Sequence, residues 1–165
     1  MKISILISSY NKGAYLEECL QSCLKQTHQN FEVILFDNYS NDNTDLVLAK
    51  YSKNIIIKKE TKISNYSATN QLDLLKKAFS LSTGEIICFL DADDYFEEDK
   101  LETVKRSFVL NENINVIFDK PNILINNRIQ NFKIKNKLSK YIWPTTHPTS
   151  SISVRKSILK DFFDN

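Results

Sequence analysis

Short apolar runs alternate with helical stripes along most of this chain, and that alternation constrains its fold more than any other feature. Residues 2–8 (KISILIS) form a run of strand length. Leu16, Cys19, Leu20, Cys23 and Leu24 follow at the i, i+3, i+4, i+7, i+8 spacing of one helix face. Phe31–Phe36 (FEVILF) is a second strand, apolar on both faces. The pattern then predicts a short helix from Thr44 to Tyr51, a third strand at Ile55–Ile57, and a helix over Ala68–Leu81 that buries Leu72, Leu75 and Phe79. Glu85–Leu90 (EIICFL) is a fourth strand, Leu101, Val104 and Phe108 mark a further helix, and Val116–Phe118 a further strand. Strands apolar on both faces, alternating with amphipathic helices, specify an α/β fold whose mostly parallel sheet is covered by helices on both sides.

In such a sheet, ligands bind beyond the carboxyl ends of the strands. Three polar clusters stand there: Ser8-Ser9-Tyr10-Asn11 after the first strand, Asp37-Asn38 after the second and Asp91-Ala92-Asp93-Asp94 after the fourth. From about residue 120 the alternation fades. Ile123–Ile125 and Ile129–Ile134 read as a hairpin around Asn126-Asn127, Pro144 and Pro148 break the chain, and Ser151–Val154 reads as a last strand before a short helix. At 165 residues the chain suits one domain with its own core.

Glycine usage excludes whole classes of nucleotide site. Gly13 and Gly84 are the only two, whereas a Walker loop or a dinucleotide fingerprint needs several so that the backbone can wrap phosphates. If this chain handles a nucleotide, another device holds the phosphates. Cys19, Cys23 and Cys88 are odd in number and lack CxxC spacing, which reads as reduced core thiols in a cytosolic protein. No basic leader followed by an apolar run is visible, and no apolar stretch reaches membrane-spanning length.

The acidic clusters supply the missing device. Asp91, Asp93, Asp94, Glu97, Glu98 and Asp99 place six acids in nine residues directly after a buried strand. Glu97, Glu98 and Asp99 suit the positive end of the next helix, and Asp94 suits its cap. Asp91 and Asp93 are not explained that way. Two carboxylates at i and i+2 on a strand end repel each other unless a cation lies between them. Mg²⁺ or Mn²⁺ takes few protein carboxylates and leaves positions for phosphate oxygens. Asp37 ends a strand in which five of the six preceding residues are apolar, at the same edge, where its carboxylate suits the N–H of a pyrimidine ring. Asn38 reads equally as a ligand contact or a loop residue, and Asn41 or Asp42 as the cap of the next helix.

The segments ISSYNKGAYLEECLQSCLKQTHQNFEVILFDNYSNDNT and GEIICFLDADDYF closely resemble family 2 glycosyltransferases over roughly residues 1–110. The resemblance implies a GT-A fold, a nucleotide-diphospho-sugar donor and a divalent metal (Mn or Mg). It assigns Ser8, Ser9, Tyr10 and Asn11 to the base and ribose pocket, and Asp37, with Asn38, to the base. Asp91 goes to the ribose and, with Asp93, to the metal, with Ala92 between them in the same segment. Residues 1–119 would form the donor subdomain, and 120–165 a partial acceptor-side segment of the same domain.

The chain departs from the family pattern at Ser8-Ser9, at Tyr39, and at Leu75-Lys76, where an Arg-Asn is usual. Either Lys76 or Asn70-Gln71 would then reach the diphosphate. The catalytic base of inverting members is expected beyond Asn165, with Asp161 and Asp164 read as ordinary helix-end residues, so the chain is expected to be a C-terminally truncated form. His147 reads equally as a metal or acceptor contact and as a surface-loop residue, and Tyr141 and Trp143 read as core packing before sugar stacking.

A haloacid-type phosphatase is the rival enzyme, but its Asp-x-Asp lies on an early strand. Here the motif comes some ninety residues in, and Tyr95 occupies the place of a required Thr or Val. Between Lys120 and Lys160 stand nine Lys or Arg and no acid, while residues 1–119 hold thirteen basic and eighteen acidic residues. That basic segment suits anionic lipid head groups at the cytoplasmic membrane face, or phosphates of a nucleic acid with Phe132, Tyr141 and Trp143 stacking on bases. The expected partners are the donor, a saccharide or lipid-linked acceptor and an anionic membrane surface, with no nucleic acid.

Overall fold

The computed structural model describes residues 1–125, 128–131 and 148–164. Strand β1 (Ile3–Ser9) runs parallel to β2 (Phe31–Asp37) on one side and to β4 (Ile86–Asp91) on the other, and β3 (Ile56–Lys59) extends the sheet parallel to β2. The sheet is completed in an order the alternation does not announce. β8 (Ile152–Arg155) inserts antiparallel between β4 and β5 (Val116–Phe118), giving six strands in the order β3-β2-β1-β4-β8-β5. β6 (Asn122–Ile125) and β7 (Arg128–Asn131) pair separately as the expected hairpin. Asn126-Asn127, Phe132, Tyr141, Trp143, Pro144 and His147 lie outside the described residues.

Helices cover both faces, so β1 alternates between two cores. Ile3, Ile5 and Ile7 point to α1 (Gly13–Leu24), α2 (Thr44–Tyr51) and α4 (Lys100–Leu110), whose Leu16, Leu20, Val47, Leu48, Leu101 and Phe108 fill that side. Leu6 points the other way, to α3 (Ser67–Leu81) and α5 (Lys156–Asp164), where Leu74, Leu75, Ala78, Phe79 and Phe163 pack. Fully burying a side chain such as Phe108 contributes about 1.5–3 kcal/mol. Within α3 the predicted stripe holds at Leu75 and Phe79 but not at Leu72. Leu72 is 51% exposed and Leu74 is buried in its place, because the face turned to the sheet runs through residues 74, 75, 78 and 79. β3 also falls one to two residues later than predicted and is an exposed edge.

Both glycines are sites of close approach. A Cβ on Gly13 would lie 2.2 Å from Asn43 Oδ1 and 2.7 Å from the Thr44 nitrogen, where the starts of α1 and α2 meet. A Cβ on Gly84 would lie 2.6 Å from the Ser4 nitrogen. Around Gly84, at the amino ends of the strands, the Glu32 carboxylate accepts from Lys2 Nζ at 2.7 Å, Ser4 Oγ at 2.6 Å and the Thr83 N–H at 2.6 Å. This pins β1, β2 and the approach to β4 together, far from the polar edge. The three cysteines are free and buried, as expected. Among the described residues no helix is long and apolar enough to cross a membrane.

Candidate functional site

Parallel pairing brings the three polar clusters to one edge in register, Ser9 beside Asp37 and Ser8 beside Asp91. A cavity of about 520 Å³ opens there, between the ends of β1 and β4, the start of α3 and the loop before it. Of the residues singled out from sequence, Ser8, Ser9, Tyr10, Asn38, Asn70, Gln71, Asp91, Ala92 and Asp93 line it. Lys12, Lys62, Ser64, Asn65, Ser67 and Leu74 line it as well.

The β4 turn carries the charge. Asp91 accepts from Gln71 Nε2 at 2.7 Å, and its own N–H donates to Ser150 Oγ at 2.9 Å. Ser150 in turn donates to Asp94 Oδ2 at 2.5 Å, so the short 3₁₀ turn Thr149–Ser151 is latched onto the acidic turn. Asp94 is therefore a latch acceptor, and α4 begins at Lys100 after Asp99 with no side-chain cap. Burial, with the charges of Asp94 and Asp93, pushes the Asp91 carboxyl up to about 6. Asp93 is ion-paired with Lys12 Nζ. The hydrogen bond that Lys12 donates to Asp93 raises the Lys12 pKa.

The β1 turn supplies an aromatic face and a hydroxyl. Lys62 Nζ lies 3.4 Å from the centroid of the Tyr10 ring. Ser9 Oγ is buried without a hydrogen-bond partner, and Ser9 borders the cavity. Asn70 shapes the loop before α3: its Oδ1 accepts from the Ile63 and Ser64 N–H groups, both at 3.0 Å, and its Nδ2 donates to the Ser64 carbonyl at 2.8 Å. Asn38 donates through Nδ2 to the Glu60 carbonyl at 2.7 Å.

Three residues expected at the ligand have protein partners in the structure. Lys76 donates to the Phe163 carbonyl at 2.7 Å, on α5. The cavity face of α3 runs through Asn70, Gln71 and Leu74, and at 100° per residue Lys76 points well away from it. Asp37 is fully buried and outside the cavity lining, its oxygens accepting from the Ser40 N–H at 2.8 Å and Ser40 Oγ at 2.6 Å. Asn11 accepts from the Asn41 N–H at 2.9 Å and its own N–H donates to Ser40 Oγ at 2.8 Å. Asn11 and Tyr39 both have left-handed backbone, φ 52° and 51°. Such strain, about 1–3 kcal/mol per residue, gathers at functional loops. Asp42 stands one residue before the Asn43 cap position of α2, which has no side-chain cap; one Asp42 oxygen accepts from the Thr44 N–H at 3.0 Å and the other from the Gly13 N–H at 3.0 Å.

Sequence reasoning missed Lys12 and Lys62. A signal existed for Lys12: a cluster of acids at a strand edge needs a counter-cation, and Lys12 directly follows the β1 cluster. Nothing in the sequence marks Lys62 over its neighbours. Among the described residues no group of three or more His, Cys, Asp or Glu side chains converges as a self-contained metal cage. The cavity offers two carboxylates, Asp91 and Asp93, whose hard oxygens and mutual repulsion suit a hard cation that keeps open coordination positions.

A mostly parallel sheet with its polar cavity beyond β1 and β4 is the GT-A arrangement, shared with known structures over nearly the whole chain. The chain belongs to glycosyltransferase family 2, whose profile, "Glycosyl transferase family 2", matches residues 4–163. An uncharacterized glycosyltransferase of Nostoc sp. is 30% identical over 176 residues, covering 99% of this chain and 53% of that protein. The UDP-Glc:alpha-D-GlcNAc-diphosphoundecaprenol beta-1,3-glucosyltransferase WfgD of Escherichia coli is 32% identical over 127 residues, 77% of this chain and 48% of that protein. The structure of S. aureus TarS 1–349 in complex with UDP-GlcNAc has a TM-score of 0.73 at 23% identity, covering 98% of this chain and 47% of that one. The chain thus spans about half the length of these relatives.

Proposed function

We propose that this chain is the donor-binding part of a metal-dependent glycosyltransferase, which passes a sugar from a nucleotide-diphospho-sugar to a saccharide or lipid-linked acceptor in surface-polysaccharide or glycolipid assembly. One arrangement carries the reading: Asp91 and Asp93 share a cavity with Ser8, Ser9, Tyr10 and Asn38 at the carboxyl ends of the strands. Tyr10 offers a ring face to a base, and the unpartnered Ser9 hydroxyl is a hydrogen bond waiting for a ligand. Asp91, oriented by Gln71, faces the ribose, and Asp93 with Asp91 holds Mn²⁺ or Mg²⁺. Once bound, that ion neutralises the charge of the departing diphosphate.

Among the described lining residues Asp91 and Asp93 are the sole carboxylates, and both are committed to the donor side. The base that would deprotonate an acceptor hydroxyl is not among them. Donor binding is therefore the property to measure in this chain. The E. coli relative is named for UDP-Glc and the S. aureus structure holds UDP-GlcNAc, so UDP heads the screen. A thermal-shift screen of nucleoside diphosphates is expected to show Mn²⁺-dependent stabilisation by one of them, abolished in Asp93→Ala. If no nucleotide moves the wild-type melting point, the donor-site reading fails.

The β6–β7 ribbon supports peripheral contact with an anionic membrane rather than with nucleic acid. It exposes Ile123, Leu124, Ile125 and Ile129 beside exposed Lys120 and Arg128, an apolar face with basic neighbours that suits lipid more than phosphates alone. Salt-sensitive binding to anionic vesicles, without binding to oligonucleotides, is expected; the reverse result refutes it.

A further inference from the structure

Lys12 directly precedes α1, and its side chain borders the cavity and reaches Asp93 from 81 residues away in the chain. The ammonium is ion-paired with the Asp93 carboxylate. It thus neutralises the carboxylate pair to which the proposed metal would bind. Asp93 is 40% exposed and Lys12 37%, so the pair is weak enough to exchange. A divalent cation on Asp93 repels the ammonium already paired there, so the two compete for the carboxylate. An ammonium on a flexible four-carbon stem, once displaced, moves to another anion within reach. A nucleoside diphosphate in the same cavity supplies one.

From this geometry we propose that Lys12 is the resident counter-ion of the metal site: it competes with the divalent cation for Asp93 when no nucleotide is bound, and transfers to the diphosphate when metal and nucleotide bind together. The proposal rests on the donor-site reading. Its consequence is a coupling between ligands. Metal alone must displace Lys12 with no compensation, whereas metal with nucleotide gives the displaced ammonium a new partner, so each ligand strengthens the other.

The test is Mn²⁺ binding by the full chain, followed through the electron paramagnetic resonance of the free ion, first without nucleotide and then as UDP affinity in saturating Mn²⁺. Without nucleotide, Lys12→Gln should bind Mn²⁺ about two- to five-fold more tightly, the range of an exposed ion pair. In saturating Mn²⁺ the same variant should bind UDP about ten-fold more weakly, the low end for a lost hydrogen bond to a charged group. Lys12→Arg, which keeps the charge, should stay near wild type in both. An unchanged Mn²⁺ affinity in Lys12→Gln overturns the proposal, and so does an unchanged UDP affinity. The first arm contains no nucleotide, so its failure is distinct from that of the donor-site reading, which fails if wild type binds Mn²⁺ but no nucleoside diphosphate.

Discussion

Asp91→Asn should make the metal-free protein more stable. Burial, then the charges of Asp94 and Asp93, raise this carboxyl from its ordinary 3.8 to about 6, against the opposing hydrogen bonds of Ser150 and Gln71. A shift of about two units, at about 1.4 kcal/mol per unit, is a penalty on the order of 3 kcal/mol. Below pH 3.8 the group is protonated both folded and unfolded, and costs nothing. Between there and pH 6 the folded chain keeps a proton that the unfolded chain releases, so stability falls as pH rises. Above pH 6 the penalty is complete and constant. An amide at this position still accepts from Gln71 and has no charge to desolvate. Urea unfolding in EDTA should therefore show Asp91→Asn about 1–3 kcal/mol more stable than wild type at pH 7.5, with the gain vanishing near pH 3.5. The same variant should lose the Mn²⁺-dependent thermal shift, a gain in stability set against function. If Asp91→Asn is no more stable at pH 7.5, or if its advantage persists undiminished at pH 3.5, the argument is wrong.

At the other end of the sheet the sign reverses. Burial alone would raise Glu32, but hydrogen bonds from Lys2, Ser4 and Thr83 outweigh it and lower the carboxyl from 4.5 to about 2. Its stabilisation is full above pH 4.5 and is lost as pH falls toward 2, so Glu32→Gln should cost about 2–3 kcal/mol in urea unfolding at pH 7 and flatten the acid limb between pH 4.5 and 2. Gly84→Ala should cost about 1–3 kcal/mol in the same assay, since the added Cβ meets Ser4 backbone that cannot give way.

Where local pattern decides structure, the sequence was readable. The both-face apolar runs became β1, β2 and β4, and the stripe Leu16-Cys19-Leu20-Cys23 became the buried face of α1. The polar edge followed from that, because parallel strands must place Ser8-Ser9 and Asp91 side by side. What escaped depends on contacts between distant segments. The predicted last strand is real, but its place between β4 and β5 is settled by Ile86–Arg155 and Val116–Val154 pairing, which no local period encodes. Lys76, expected at the diphosphate from its place in the family pattern, is turned instead to the Phe163 carbonyl on α5, a long-range contact that no local pattern encodes. Asp37, placed correctly at the edge, turned its carboxylate to Ser40, three residues on, a choice between loop and ligand that residue type leaves open.

The position of β8 also governs the order in which this domain can be made. Until residue 155 has left the ribosome, β4 has an open edge at Ile86–Cys88, the kind of unpaired strand that templates aggregation. β1, β2 and β4 can already stand together, yet Ser150, which braces the acidic turn from 59 residues away, arrives on the same short segment as β8. Closing the sheet and bracing the acidic turn are thus one event in the life of the nascent chain. A cell that interrupts synthesis before that segment emerges is left with a sticky edge and an unbraced site together.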